Sequence, residues 1–347
     1  MATDKDKKMP AFKFANMVDF TRNPYNYVID THSPSLNWIM GNSHGLPLGY
    51  GMLLWGAAKS GKTLVTNDFT AKIHQDYPEG WVIKFDTEWR TQLQDNSNIA
   101  NIDKSRLIVS QANNPSEVFD AIKEQIPIQC QAGRDIKLII IDSLNGVNGI
   151  REMTQESVES QSFGDMAMTI QKGLKSIMPI LRTYNIALIC TCHARAEMDP
   201  IKAMRNKIKP GVSFAALHTL EYHVQVMPNE SKDGKMMDDT QHDMMDKSLM
   251  SGHKIRAVMT SSSSSPAGRT AEFTLDYKKG IVNLGEEVAK LATNIPGIIE
   301  MPNNRTYIYG DQKWVSWDAF VLALEQDTDL RGKIVEEIKK TDQVIRL

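Results

Sequence analysis

A chain of 347 residues exceeds the roughly 250 to 300 at which a single hydrophobic core stops growing, so one main core with a small accessory piece is expected. Its 41% hydrophobic and 24% charged residues are ordinary for a globular protein; no apolar run approaches the ~18 residues of a membrane span, and a net charge of -2 excludes wrapping of duplex DNA by bulk charge. The opening MATDKDKKMP has no apolar segment behind its charges, and Cys130, Cys190 and Cys192 form no disulfide framework, which together predict a soluble protein of a reducing, cytoplasmic compartment.

In chain order, short apolar strands alternate with helical patterns, the signature of an α/β fold with a mostly parallel central sheet flanked by helices. Strands are predicted at residues 51–55 (GMLLW), 81–85 (WVIKF), 106–111 (RLIVSQ), 137–141 (KLIII) and 186–192 (IALICTC). All but the second are near-continuous apolar runs, as strands covered on both faces should be. Helices are predicted at 62–75, where the pattern reads as amphipathic, at 115–125 and at 165–182. From Leu220 the rhythm changes to β runs joined by turns (EYHVQVM, KIRAVMT, AEFTLDY), a shorter mixed edge to the sheet. Residues 229–252, rich in Asp, Lys, Ser and Met without periodicity, read as a mobile insertion whose Met and His residues lack metal-ligand spacing. A helix (NLGEEVAKLAT) then leads to a hairpin (TYIYGDQKWVSW) and two short helical stretches, so residues 33–294 are taken as the core and 295–347 as a small C-terminal α/β lobe.

The strongest motif is Gly56-Ala57-Ala58-Lys59-Ser60-Gly61-Lys62-Thr63, a full match to G-x-x-x-x-G-K-[ST]. A strand ends at its first residue and a helix starts at Lys62, which points backbone N–H groups and the positive helix end at a bound phosphate. Lys62 would supply charge to the β- and γ-phosphates of a nucleotide, and Thr63 a hydroxyl to Mg2+. The run KLIIIDSL delivers Asp142 to the carboxyl end of a second strand, beside the P-loop, where it can hold the ion. WVIKF continues into Asp86-Thr87-Glu88. Glu88 is the candidate for orienting water on the γ-phosphate; Asp86, placed on the opposite face by strand alternation, is the weaker one.

Taken in order from about Ser33 to Lys340, these segments resemble the RecA family, closest in style to the recombinases of tailed phages. SPSLNWIMGNSHGLPLGYGMLLWGAAKSGKT resembles the family's lead-in to its P-loop, FDTEWR its segment with the water-activating Glu, and IIIDSLNGV its second carboxylate strand. The resemblance implies a RecA-like P-loop core, ATP and Mg2+ as cofactors, and a DNA-dependent ATPase making ADP and phosphate. It further implies a recombinase that forms a helical homo-oligomeric filament on single-stranded DNA and pairs it with homologous duplex DNA in recombination and repair. Single-strand-binding and mediator proteins are the partners such an activity suggests.

ESVESQSFGDMAMTIQKG resembles the first DNA-binding loop, which places Phe163 and Gly164 against DNA; a core role for Phe163 at the head of the following helix is the alternative. His193 falls where the family carries a residue that touches the γ-phosphate and passes nucleotide state to the second DNA loop. A Cys-x-Cys-His metal site is the rival there, without a fourth ligand nearby. Residues 194–211 set Arg195, Lys202, Arg205, Lys207 and Lys209 against Glu197 and Asp199, a local net charge of +3 suited to phosphate contacts. Phe12 and Ala15, in FKFA, resemble a polymerisation motif that docks into a neighbouring subunit, which makes residues 1–32 an oligomerisation segment; a plain apolar docking segment is equally compatible. The family's lysine pair ahead of A-E-F is replaced here by Ser261 to Ser265, leaving Arg269, Lys254, Arg256 or a bound cation to complete the site across a subunit boundary. A hexameric DNA helicase and an ATP-clamped annealing or mediator protein are the competing functions.

Overall fold

A computed structural model of the protein describes residues 27–41, 44–89, 101–112, 116–146, 163–198, 204, 208–228, 252–263 and 266–344. In chain order these form β1 (Val28–Ile29), α1 (Pro34–Ile39), β2 (Leu46–Pro47), β3 (Gly51–Gly56), α2 (Lys62–Asp76), β4 (Gly80–Asp86) and β5 (Leu107–Ser110). A π-helical turn at Ser116–Asp120 leads into α3 (Ala121–Gln131), followed by β6 (Asp135–Asp142), α4 (Phe163–Thr183), β7 (Ala187–Ala196), β8 (Ile208–Pro210) and α5 (Phe214–Leu217). Then come β9 (Tyr222–Pro228), β10 (Gly252–Ser262), β11 (Thr270–Asp276), β12 (Gly280–Val282), α6 (Leu284–Asn294), β13 (Glu300–Asn303), β14 (Thr306–Tyr309), β15 (Gln312–Trp314), α7 (Trp317–Gln326) and α8 (Thr328–Val344).

One large sheet runs in the order β12-β11-β10-β9-β3-β7-β6-β4-β5, with β8 pairing β7 off that path. Pairing is parallel from β9 through β3, β7, β6 and β4 to β5, and antiparallel from β9 outward through β10, β11 and β12. The strands after Leu220 therefore extend the same sheet. Alternation along β3 explains why its whole sequence is apolar: Met52 and Leu54 join the core under α2, while Leu53 and Trp55 join the core under α3 and α4.

Two expectations are corrected. The second helix is not a simple amphipathic element: Thr66, Asn67, Asp68 and Thr70 are buried along with Val65, Phe69 and Ile73. Its outer side is covered by the segment before α1, where His32 donates its backbone N–H to Asp68 Oδ2 (2.9 Å) and sets its ring 3.0 Å from Asp68 Oδ1. Strand β7 does not stop before His193 but runs on to Ala196, because β8 returns antiparallel to it (Ala194 opposite Pro210, Arg195 opposite Lys209).

A third core holds Val288 and Leu291 of α6 with Tyr307, Phe320, Leu324, Ile334 and Ile338, and Trp38 of α1 packs against it. Tyr307 and Phe320 stack at 5.2 Å between ring centroids. At the junction of α1 and α6, the buried Glu287 Oε1 accepts from Ser33 Oγ (2.5 Å), Ser35 Oγ (2.6 Å) and Ser35 N (2.8 Å), while its Oε2 makes no hydrogen bond. Ser33 also caps α1, accepting from Leu36 N at 3.0 Å. Among the described residues no helix is long and apolar enough to cross a membrane.

Candidate functional site

The loop from Gly56 to Gly61 turns the end of β3 into the start of α2. At Gly61, φ is +93°, and an added Cβ would lie 2.7 Å from Ile255 Cδ1; at Gly56 it would lie 2.1 Å from Val226 O. Gly61 is required by its left-handed conformation, and Gly56 by the close approach of the β9 backbone. Helix α2 has no side-chain cap at Gly61 and no acidic residue in its first turn. Its positive end is thus left to face an anion from outside the helix. Lys62 is buried, and its Nζ donates to Ala57 O (2.7 Å) and Gly56 O (3.2 Å), which folds the ammonium back over the loop. Uncapped helix end, folded-over ammonium and obligate glycines fit a phosphate chain.

Asp142 ends β6 in register with Asp86 of β4. Its Oδ2 accepts from Thr63 Oγ1 at 3.0 Å and lies 3.2 Å from Lys84 Nζ; its Oδ1 accepts from Thr191 Oγ1 at 2.6 Å. Burial alone would raise this carboxyl, but Lys84 and the bonds from Thr191 and Thr63 hold it below the usual carboxylate range. A hydroxyl and an ionised carboxylate facing each other beside a phosphate cradle are the oxygen donors Mg2+ takes, and that ion relies on few protein ligands. Among the described residues no cluster of three or more His, Cys, Asp or Glu is placed to hold a metal.

Strand β4 ends at Asp86, so strand alternation no longer governs Glu88, which lies in the turn beyond; Asp86 Oδ1 accepts from Glu88 N at 3.3 Å and braces that turn. Glu88 Oε1 accepts from Ser143 Oγ (2.5 Å) and lies 2.9 Å from His193 Nε2. His193 sits in register with Gly56, next to the P-loop. Its N–H donates to Asn145 Oδ1 (2.7 Å), Asn145 Nδ2 donates to Gly211 O (3.4 Å), and Gly211 N donates back to His193 O (2.8 Å). The carboxylate turn, the histidine strand and both ends of the 194–211 segment are thereby tied together. Cys190 and Cys192 are buried on β7, and burial raises both thiols, that of Cys192 to about 12. Both thiols lie in the core under α3 and α4, and no third His, Cys, Asp or Glu among the described residues joins them in a metal-holding group, which disfavours the Cys-x-Cys-His alternative.

Of the basic segment, Arg195 and Lys209 face each other on the β7–β8 stem, and Lys209 Nζ pairs with Glu197 Oε1 at 2.8 Å. Lys202, Arg205 and Lys207 lie outside the described residues, as do Phe12, Ala15 and nearly all of the 229–252 insertion. Phe163 and Gly164 open α4, with the Phe163 side chain outside the described part. Sequence reasoning missed Lys84, Thr191 and Asn145, and noted Ser143 only as the serine that follows the second carboxylate strand. Only Lys84 left a signal, a charged residue inside a run otherwise bound for the core.

No family model matches the chain. Among curated proteins it is 22% identical over 301 residues to Protein RecA of Mycoplasma mycoides subsp. mycoides SC, an alignment covering 85% of this chain and 79% of that one. It is 29% identical over 163 residues to Protein RecA of Mycoplasma genitalium, covering 47% and 45%. The chain is similar to RecA. Similarity at this level supports a RecA-family relationship and a function of the RecA kind, and the mostly parallel sheet flanked by helices with a small antiparallel C-terminal sheet is a RecA-like fold.

Where RecA-like proteins would set a lysine pair, Ser261 and Ser262 continue β10, opposite His223 and Tyr222 of β9. Because β10 runs against β9, and β9 runs with β3, this serine end lies at the sheet edge away from the P-loop. Two of the cations named as substitutes have local partners. Arg269 Nη1 donates to Trp38 O (3.0 Å) with its guanidinium 4.5 Å above the Trp38 ring, and Lys254 Nζ lies 3.6 Å from Glu286 Oε1. Arg256 is exposed, opposite Glu272 across the strands.

Proposed function

We propose that the chain is an ATP-dependent recombinase that assembles as a helical filament on single-stranded DNA and catalyses homologous pairing and strand exchange, turning ATP into ADP and phosphate. The observation that carries this reading is the 2.9 Å contact between Glu88 and His193, at a point where β7 lies beside the P-loop and continues into the basic hairpin. The backbone of Gly56, Ala57, Ala58, Lys59, Ser60 and Gly61 cradles phosphates, and Lys62 exchanges its two loop carbonyls for them. Mg2+, held by Thr63 and Asp142, would neutralise charge across the phosphates. Glu88 orients and deprotonates water. Since Glu88 Oε1 is shared between Ser143 and His193, any change in what Glu88 binds is felt by β7. Through Asn145 and Gly211 the same change reaches the stem that presents Arg195 and Lys209, so nucleotide state biases the grip on DNA phosphates.

The test is to image the full chain with ATP and single-stranded DNA, and to assay pairing of that strand with a homologous duplex. Helical filaments that invade the duplex are expected, and Lys62→Ala should lose both hydrolysis and invasion. Rings that unwind DNA would replace this reading with a helicase; filaments that only anneal would replace it with an annealing protein.

A further inference from the structure

The buried lysine of β4 has no evident part in phosphate binding, for which Lys62 is already placed. Lys84 is 4% exposed, on a strand hydrogen-bonded on both sides by β5 and β6. Burying an ammonium costs several kcal/mol unless it is paired, and its partner is Asp142 Oδ2, the oxygen that Thr63 also contacts. Thr191 takes the other oxygen. The other carboxylates of this edge are engaged as well: Asp86 with the Glu88 amide, and Glu88 with Ser143 and His193. Asp142 itself is therefore paired with a cation before any divalent ion arrives.

We propose that Lys84 is an internal counter-ion: it occupies the electrostatic place of Mg2+ on Asp142 in the nucleotide-free protein, so that the divalent ion binds there only together with nucleotide. This rests on the ATP-site reading above. A dication approaching Asp142 alone meets a carboxylate already neutralised and a cation on the same oxygen. With nucleotide, the phosphates bring the negative charge that Asp142 no longer offers. Site loading is thus ordered, with the metal entering as the metal–nucleotide complex.

The test follows the unfolding temperature of the full chain at about pH 8, where carboxylates are ionised, in EDTA, in Mg2+ alone, and in ATP with Mg2+. Wild type should be unmoved by Mg2+ alone and stabilised by ATP with Mg2+. K84M and K84Q should unfold at lower temperature in EDTA and recover with Mg2+ alone, at concentrations about tenfold or more below any that affect wild type. Variants weakened equally with and without Mg2+ would make Lys84 a packing residue and overturn the proposal. A second measurement needs no variant: Mn2+ titrated into the wild-type chain should stay free by its electron paramagnetic resonance signal until ATP is added, and uptake at one site without nucleotide overturns the ordering. Wild type that ATP and Mg2+ together fail to stabilise removes the ATP-site reading itself, and the counter-ion role with it.

Discussion

Two carboxylates in this molecule, one partly and one fully buried, receive comparable hydrogen bonding and end in opposite states. Asp142, at the P-loop edge, takes two hydroxyls and the ammonium of Lys84, and its carboxyl is held low. Glu287, at the junction of α1 and α6, takes two hydroxyls and an amide on one oxygen, yet burial raises it to about 7, with the Asp68 carboxylate adding to the rise. Neutral donors offset part of a carboxylate's desolvation; a paired cation offsets the rest. The P-loop edge keeps its charge because the sheet supplies a lysine, whereas the junction holds its proton near neutral pH.

The largest test of that contrast is Asp142→Asn, which strands Lys84 as an uncompensated buried cation. It should cost about 3 to 5 kcal/mol in denaturant unfolding as well as abolishing hydrolysis. Stability within about 0.5 kcal/mol of wild type would mean the pair is not the structural unit described here. Glu287 predicts a pH effect of the opposite kind. A raised folded-state value means its contribution is fully present below the unfolded value near 4.5 and is lost as pH rises through about 7. Stability should therefore fall by an amount on the order of 3 kcal/mol between about pH 5 and pH 8, and Glu287→Gln should flatten that fall. Glu88 is bonded to a hydroxyl and lies against an imidazole. Glu88→Gln should lower kcat for ATP about a hundredfold or more while nucleotide affinity stays close to wild type; retained turnover would remove its assigned role. Smallest, Ser33→Ala removes a helix cap and one donor to Glu287, at about 1 kcal/mol, and should steepen the pH dependence that Glu287→Gln abolishes.

The parts of this architecture that were legible in advance are those with a periodic or a local chemical signature. The apolar runs of β3, β6 and β7 announced strands covered on both faces, whereas β5, read the same way, is only partly covered at the rim, and the P-loop spacing placed Lys62 and Thr63 at the head of α2. Asp142 followed from its position at the end of KLIII. Contacts made only by tertiary packing left no such trace. Nothing local says that Asn145 reaches across to His193 and Gly211, or that Thr191 donates to Asp142 from the next strand. The polar residues of α2 looked like a solvated face because the segment that covers them, around His32, lies ahead of it in the chain and shows no pattern of its own. Lys84 shows the reverse: it looked like an ordinary interruption of a strand, and its importance is that it is not one.

The strand order carries a final consequence. Strand β3, which ends in the phosphate cradle, lies between β7 and β9 in the interior of the sheet, whereas β5 is a four-residue strand at its rim. Amide protons in the interior of β3 should exchange mainly through opening of the sheet, while those of β5 can exchange through local fraying. The turn that follows β3 is therefore anchored on interior backbone, and among the described strands of this sheet deuterium should reach the rim before β3.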